Sequence, residues 1–211
     1  MKLILYIFLI YKMQVFVSKS QPRDKLEQDF LRAVKDGKKD EVKELLEMVN
    51  VNIQNDDGWT ALMWASSFKR YLRSTDRKEI VELLLKAGAN PNIKGDNGWT
   101  ALMFASGESN EDIVKLLLDA GADKDIQNKY GWTALIMASG WALLHRAAKE
   151  TVKLLLEAGA DVDVRDKEGH TALWHASDND RTNTVELLLD AGADKDILIS
   201  PYYHIFPKQL L

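Results

Sequence analysis

A short sequence motif, called here the repeat word, recurs four times at long intervals in this chain. Glycine, an aromatic residue or histidine, threonine, alanine and leucine stand in that order from Gly58, Gly98, Gly131 and Gly169, at intervals of 40, 33 and 38 residues. A leucine-rich word follows each copy, starting at Val81, Val114, Val152 and Val185, at intervals of 33, 38 and 33 residues. A period of 33 with insertions of seven and five residues explains every interval. Such a period predicts a solenoid of stacked repeats.

The pattern Gly-x-Thr-x-Leu-x-x-Ala at this period resembles the ankyrin repeat, in which a hairpin turn precedes two antiparallel helices. The resemblance covers most of the chain and implies an all-α, ankyrin-type helical solenoid. Two positions depart from the family pattern. Alanine replaces the proline that follows the threonine, and the family's histidine is replaced by Met63, Met103, Ile136 and Trp174.

The repeat words divide the chain into seven segments. The boundaries predicted are an apolar N-terminal segment (1–20), a degenerate capping repeat (24–57), four repeats (58–97, 98–130, 131–168 and 169–200) and a non-repeat tail (201–211). The repeats 58–97 and 131–168 carry the insertions of seven and five residues.

Each word has a physical role in the predicted repeat. The opening glycine suits a tight turn with positive φ. The threonine two residues later can cap the first helix by accepting a hydrogen bond from a free backbone N–H. The second helix, as in Ile113–Leu118, is too apolar to be exposed on one side and is expected to lie between neighbours. The glycines expected to end these second helices are Gly88, Gly121, Gly159 and Gly192.

The two ends of the chain lead to separate expectations. Residues 1–20 fit a short signal peptide with a cut before Gln21, which would export the protein to the periplasm or outside the cell. Alternatively, Met13 starts a shorter cytoplasmic protein. At the other end, the fourth repeat ends in an apolar helix that needs a cover. Residues 197–207 are expected to fold back over it.

Charge and motifs exclude several classes of function. Residues 1–23 carry four basic and no acidic side chains, so a net charge of −4 for the whole chain leaves −8 on residues 24–211. An acidic body argues against binding nucleic acid. The run Asp161–Asp166 fails as a calcium loop, because Arg165 and Asp166 occupy positions that need other residues. His170 and His175 are five residues apart, not the four of a paired helical metal site. We therefore expect no metal, no cofactor and no catalysis.

What remains is recognition of another protein. The residues after the opening glycines form a row, and in the resembled family this position faces the concave groove beside the hairpin tips. Aromatic anchors dominate the energetics of interfaces. The alternative is that each tryptophan only packs on the next repeat. Trp64, Phe104 and Trp174 lie inside helices and are expected in the core. The candidate contact residues are Trp59, Trp99, Trp132 and His170 in the row, Asp57, Asn97, Tyr130 and Glu168 at the tips, and Phe68 and Trp141 beside the insertions.

The insertions fall on one edge of the predicted solenoid. The stretch 69–78 is basic, and 141–148 has a helix-forming composition that predicts a lengthened helix. Either they mark a binding face or they are tolerated surface loops. The chain is thus predicted to be a monomeric protein–protein interaction module without a membrane span. The alternatives are a structural or regulatory subunit of a complex and, less favoured, an enzyme that uses the fold as a scaffold.

Overall fold

A computed structural model gives the fold of residues 23–67, 74–141 and 145–195. The possible signal segment (1–20), Phe68 and the expected C-terminal cover (197–207) lie outside these ranges. Within them the chain forms ten α-helices and no β-strand. The helices are α1 (Arg23–Asp36), α2 (Lys39–Leu45), α3 (Ala61–Ser66), α4 (Ser74–Lys86), α5 (Ala101–Gly107), α6 (Glu111–Asp119), α7 (Ala134–Ile136), α8 (His145–Glu157), α9 (Ala172–Asp178) and α10 (Thr182–Asp190).

The helices are arranged in two layers. The first helices of successive units, α1, α3, α5, α7 and α9, pack side by side, with a π-helical turn (Met137–Trp141) continuing α7 toward α9. The second helices, α2, α4, α6, α8 and α10, pack on one another in the same order. The prediction of an all-α helical solenoid is confirmed.

Small residues set the spacing of the first-helix layer. Ala101 and Ala105 in α5 are both almost fully buried, as are the equivalent alanines of α3, α7 with its π-turn, and α9. Because an alanine side chain is short, neighbouring first helices can approach closely. In the second helices the buried positions are larger, as with Ile113, Val114 and Leu117 in α6. Helix α5 therefore buries small residues beside Leu102 and Met103, whereas α6 buries only larger ones.

The threonine of each repeat word caps the first helix, as predicted. The hydroxyl of Thr100 accepts a hydrogen bond from the backbone N–H of Met103 at 3.3 Å. Thr60, Thr133 and Thr171 make the same contact three residues ahead. Each cap satisfies one of the free N–H groups at a helix start. The second-helix glycines also have the positive φ predicted for a helix-ending position.

Hydrogen bonds within and between hairpins hold the repeats in register. In the third repeat, the Asn128 side-chain oxygen accepts from the amides of Tyr130 at 2.9 Å and Trp132 at 3.0 Å. The tip of this hairpin is then joined to the next, because the Lys167 amide donates to the Tyr130 carbonyl at 3.0 Å. The preceding tips are joined by bonds from Asp96 to Asp57 (3.4 Å) and from Lys129 to Asn97 (2.7 Å).

A second series of hydrogen bonds runs along the base of the hairpins. The Asp125 carboxylate accepts from the Asp161 amide at 2.9 Å, and the Asp163 carboxylate accepts from the Asp194 amide at 3.0 Å. Asn52 and Asn92 do the same for Asn90 and Asp123. The aspartate pairs Asp123/Asp125 and Asp161/Asp163, each also bonded internally, are therefore structural parts of the hairpins.

Both insertions lengthen second helices. Helices α4 and α8 have 13 residues each, against 9 in α6 and α10. The prediction that the second insertion lengthens a helix is confirmed by the start of α8 at His145. In the basic first insertion, Arg77 is only 8% exposed and donates to the Ser67 carbonyl at 2.9 Å. The Arg77 guanidinium therefore caps the C-terminal end of helix α3 and does not face outward toward a partner.

The stacking of hairpins can be tested at two glycines with the same backbone conformation. Gly131 has a φ of 81°, and an added Cβ would lie 2.8 Å from the Asp166 Cα. Gly169 has a φ of 86°, but no heavy atom of the described residues lies within 4 Å of its added Cβ. Gly169→Ala should lower the free energy of unfolding by about 1–2 kcal/mol through backbone strain. Gly131→Ala should cost at least about 1 kcal/mol more, because it also pushes the hairpins apart.

Urea denaturation followed by circular dichroism measures both changes. Equal losses of stability in the two variants would show that contact between hairpins contributes little to the fold.

Candidate functional site

Aromatic side chains form a continuous series across the first three repeats. We call it the aromatic row, and it consists of Trp59, Trp64, Trp99, Phe104, Tyr130, Trp132 and Trp141. The Trp59 ring centroid lies 4.3 Å from that of Trp64 and 4.4 Å from that of Phe104. Phe104 then stacks on Trp99 at 5.1 Å, and Trp99 meets Trp132 edge-on at 6.3 Å. The row therefore crosses two boundaries between repeats.

The row corrects one expectation from the sequence. Trp64, Phe104 and Trp174 were expected in the core, but all three are only half-buried. The physical reason is their direction: Trp64 and Phe104 lie against the hairpin tryptophan Trp59, and Trp174 stacks on His170 at 3.6 Å. Their rings thus contact hairpin residues, and those of Trp64 and Phe104 also pack against the buried core.

The row ends in two exposed aromatic side chains. Trp132 contacts Tyr130 at 5.0 Å and Trp141 at 5.2 Å, and these two are 44% and 56% exposed. A cleft of about 500 Å³ opens beside them, between the third and fourth repeats. The residues that line this cleft are Trp132, Ile136, Met137, Gly140, Trp141, Trp174, His175, Asp178 and Asn179.

The position of Trp141 is fixed by a buried arginine. Trp141 is the last residue of the π-helical turn, and Arg181 donates from the fourth repeat to the carbonyls of Ala138 and Gly140, both at 3.2 Å. Arg181 is only 8% exposed. A charged donor that satisfies the end of a helix from a neighbouring repeat holds that end in place. Trp141 is therefore presented to solvent at the end of a turn that Arg181 caps.

The four predicted tip residues all lie at the hairpin ends. Asp57, Asn97, Tyr130 and Glu168 are exposed. The Asn97 side chain is not fully available, because Lys129 donates to its oxygen at 2.6 Å. The same Lys129 ammonium lies 4.9 Å from the centroid of the Tyr130 ring.

In the fourth repeat, three ionisable side chains come together. His175 Nε2 lies 2.8 Å from Asp166 Oδ2, and His170 Nδ1 lies 4.0 Å from Asp166 Oδ1. One ring nitrogen from each histidine and one carboxylate oxygen of Asp166 all lie within 4.8 Å of one another. Asp166 is buried, and the two histidines are half-buried. The residue after the opening glycine therefore differs between repeats. His170 lies beside a carboxylate, whereas Trp59, Trp99 and Trp132 contact other aromatic rings.

Residue spacing along one helix does not reveal this cluster, because its three residues lie on different elements. Asp166 lies in the hairpin, His170 lies in the turn before α9, and His175 lies inside α9. A comparison of equivalent positions could have found it, since all three residues change together in the fourth repeat. The uncharged residues at these positions in the third repeat are Asn128, Trp132 and Met137.

The carboxylate of Asp166 is held in its charged form. Burial alone would raise its pKa, but hydrogen bonds from His175 and from the His170 and Glu168 amides oppose burial. The pKa of Asp166 consequently lies below the ordinary value for aspartate.

Comparison with protein-family models agrees with the geometry. The model described as "Ankyrin repeats (3 copies)" matches residues 19–94, 71–141 and 139–198, which together span most of the chain. The chain belongs to the ankyrin-repeat family. Ankyrin repeats are generally protein–protein interaction modules and are typically non-enzymatic. No curated protein matches the chain. Among the helices of the described ranges, none is both long and apolar enough to cross a membrane.

The two roles considered for the tryptophans of this ankyrin-repeat chain can be separated by stability measurements. Trp59 contacts aromatic rings in its own repeat and the next, so Trp59→Ala should lower the free energy of unfolding by about 2 kcal/mol or more. Trp141 is mostly exposed, so Trp141→Ala should change it by less than about 1 kcal/mol. Thermal and urea denaturation measure both. A large loss in Trp141→Ala would mean that this ring is needed for the fold itself.

Proposed function

We propose that this ankyrin-repeat chain binds a partner protein through the aromatic row, the adjoining cleft and the hairpin tips, and that it acts by binding rather than by catalysis. The observation that carries the proposal is the exposure of Trp141 and Tyr130 at the end of a continuous aromatic series. Exposed aromatic rings beside an apolar cleft are a common feature of interface hot spots.

The cleft supports an anchoring role for the aromatic residues at the third-repeat end of the row. Three tryptophans line it, Trp132, Trp141 and Trp174, while Asp178 and Asn179 supply polar groups at its rim. An apolar centre with a polar border is the usual anatomy of a protein–protein interface. The cleft volume of about 500 Å³ can take one or two large side chains of a partner.

The hairpin tips add a charge pattern along the repeats. In the first two repeats the tips carry Asp56, Asp57 and Asp96, whereas the later tips carry Lys129, Lys167 and Glu168. We infer a partner that places an apolar anchor at the cleft and basic groups near the first two repeats. Complementary charges of this kind mainly raise association rates and fix the orientation of binding.

The other function of the tryptophans is stacking, and both roles can operate in different parts of the row. Trp59 and Trp99 each contact aromatic rings from two repeats. Trp141 lies at the exposed end of the row. The best position for testing partner binding is therefore Trp141, since its loss should leave the fold intact.

The test begins with affinity capture from the native source, using the wild-type chain, Trp141→Ala and Met48→Ala. Met48 is a matched control, because it is also a large exposed apolar residue, at 43%, but lies in the capping unit. Mass spectrometry identifies the proteins captured, and titration calorimetry measures the affinity of the purified partner. Trp141→Ala should weaken binding by about 2 kcal/mol, which is about 30-fold in Kd, and Met48→Ala should not.

Unchanged affinity in Trp141→Ala would remove the cleft from the binding surface. If the double variant Trp99→Ala, Trp132→Ala also bound with unchanged affinity while losing thermal stability, the whole row would be a stacking device.

A further inference from the structure

The fourth repeat differs from the others at three positions that meet in space. Where the third repeat has an amide, an indole and a thioether, the fourth has a carboxylate and two imidazoles. A single change of this kind would be ordinary surface variation, but three changes at contacting positions point to a shared ligand. The paired residues are Asn128 and Asp166, Trp132 and His170, and Met137 and His175.

We propose that Asp166, His170 and His175 bind a transition-metal ion of the Zn²⁺ class. Each residue offers one ligand atom, which is a ring nitrogen for each histidine and a carboxylate oxygen for Asp166. Two ligands of a tetrahedral zinc lie about 3.3 Å apart when each is about 2.0–2.1 Å from the metal. These three atoms lie within 4.8 Å of one another, and His175 Nε2 is 2.8 Å from Asp166 Oδ2. Side-chain shifts of about 1 Å or less bring them to that geometry.

The surroundings hold the three side chains in place. Asp166 Oδ1 accepts hydrogen bonds from the Glu168 and His170 amides, both at 2.9 Å, which orients the carboxylate so that Oδ2 meets His175. The His170 ring stacks on Trp174, with an interplanar angle of 9°. Contacts that fix the orientation of ligands in advance raise metal affinity.

A separate observation at His170 also points to a ligand. Its Nδ1 atom is buried and has no hydrogen-bond partner among the described residues. Two carboxylates are close to it, Asp166 at 4.0 Å and Glu168 at 3.5 Å. A buried polar atom without a partner is rare in folded proteins and calls for a physical explanation. A bound cation satisfies the nitrogen and both carboxylates at once.

The donor set selects the class of ion. Two imidazole nitrogens and a carboxylate oxygen suit Zn²⁺ and its transition-metal neighbours, whereas Ca²⁺ and Mg²⁺ prefer oxygen ligands. Glu168, whose side chain is 80% exposed, or a water molecule can supply the fourth ligand. His175 also lines the cleft, so the ion would lie at one wall of it.

The experiment uses the full chain without a histidine tag, titrated with ZnCl₂ in a calorimeter. The matched variant is the triple change Asp166→Asn, His170→Trp, His175→Met, which gives the fourth repeat the residues of the third and should therefore fold. The wild type should bind one zinc ion per chain and melt at a higher temperature with zinc. The triple variant should bind at least about 100-fold more weakly and show no shift in melting temperature.

Nuclear magnetic resonance of the imidazole nitrogens tests the wild-type chain directly, whether or not the variant folds. Zinc should shift the signals of His170 and His175 and leave those of His145 and His204 in place. The absence of saturable zinc uptake by the wild type would overturn the proposal. So would unchanged affinity in the triple variant, or shifts confined to the other two histidines.

Discussion

The contact on which the rest of this fold depends is the stacking of each hairpin on the next. A backbone hydrogen bond joins neighbouring tips, as from Lys167 to Tyr130, and a glycine with positive φ makes room for it. The Cβ of any other residue at Gly131 would occupy space taken by the Asp166 backbone. Because this contact recurs at each described boundary between the four repeats, it fixes the translation and rotation between them. Residues at the same position of successive repeats then lie next to one another. A substitution at that position in one repeat therefore alters one site within a row of equivalent side chains.

These rows explain how one repeated motif can form an aromatic surface in the first three repeats and a charged one in the fourth. In the first three repeats the position after the glycine is tryptophan, and its ring packs against aromatic side chains of the same repeat or its neighbours. In the fourth repeat the same position is His170, which lies between the Trp174 ring and the Asp166 carboxylate. The backbone is the same in both cases. Only the chemistry of the side chains changes, from apolar contact to groups able to hold a cation.

Much of the fold could be predicted from the sequence, because the patterns that indicate it involve residues close together in the chain. The threonine caps, the positive-φ glycines and the buried leucine-rich helices each depend on residues a few positions apart, and their recurrence at a fixed period indicated stacking. The site was harder to predict, because it depends on contacts between repeats. Trp64 and Phe104 have the sequence pattern of core residues, but their rings lie against the hairpins. The exposed Trp141 owes its position to Arg181 in the next repeat. His170 and His175 failed a helical spacing rule that does not apply to a turn and a helix.

We propose that the end of the aromatic row at the third repeat contacts a partner protein. Hydroxyl-radical footprinting of the chain, free and bound to its captured partner, measures this directly at individual side chains. Tyr130 and Trp141 are exposed in the free chain, and Met48 provides an exposed reference in the capping unit. Binding should protect Tyr130 and Trp141 from oxidation and leave Met48 as reactive as before. Unchanged reactivity of both aromatic residues in the complex would contradict the claim.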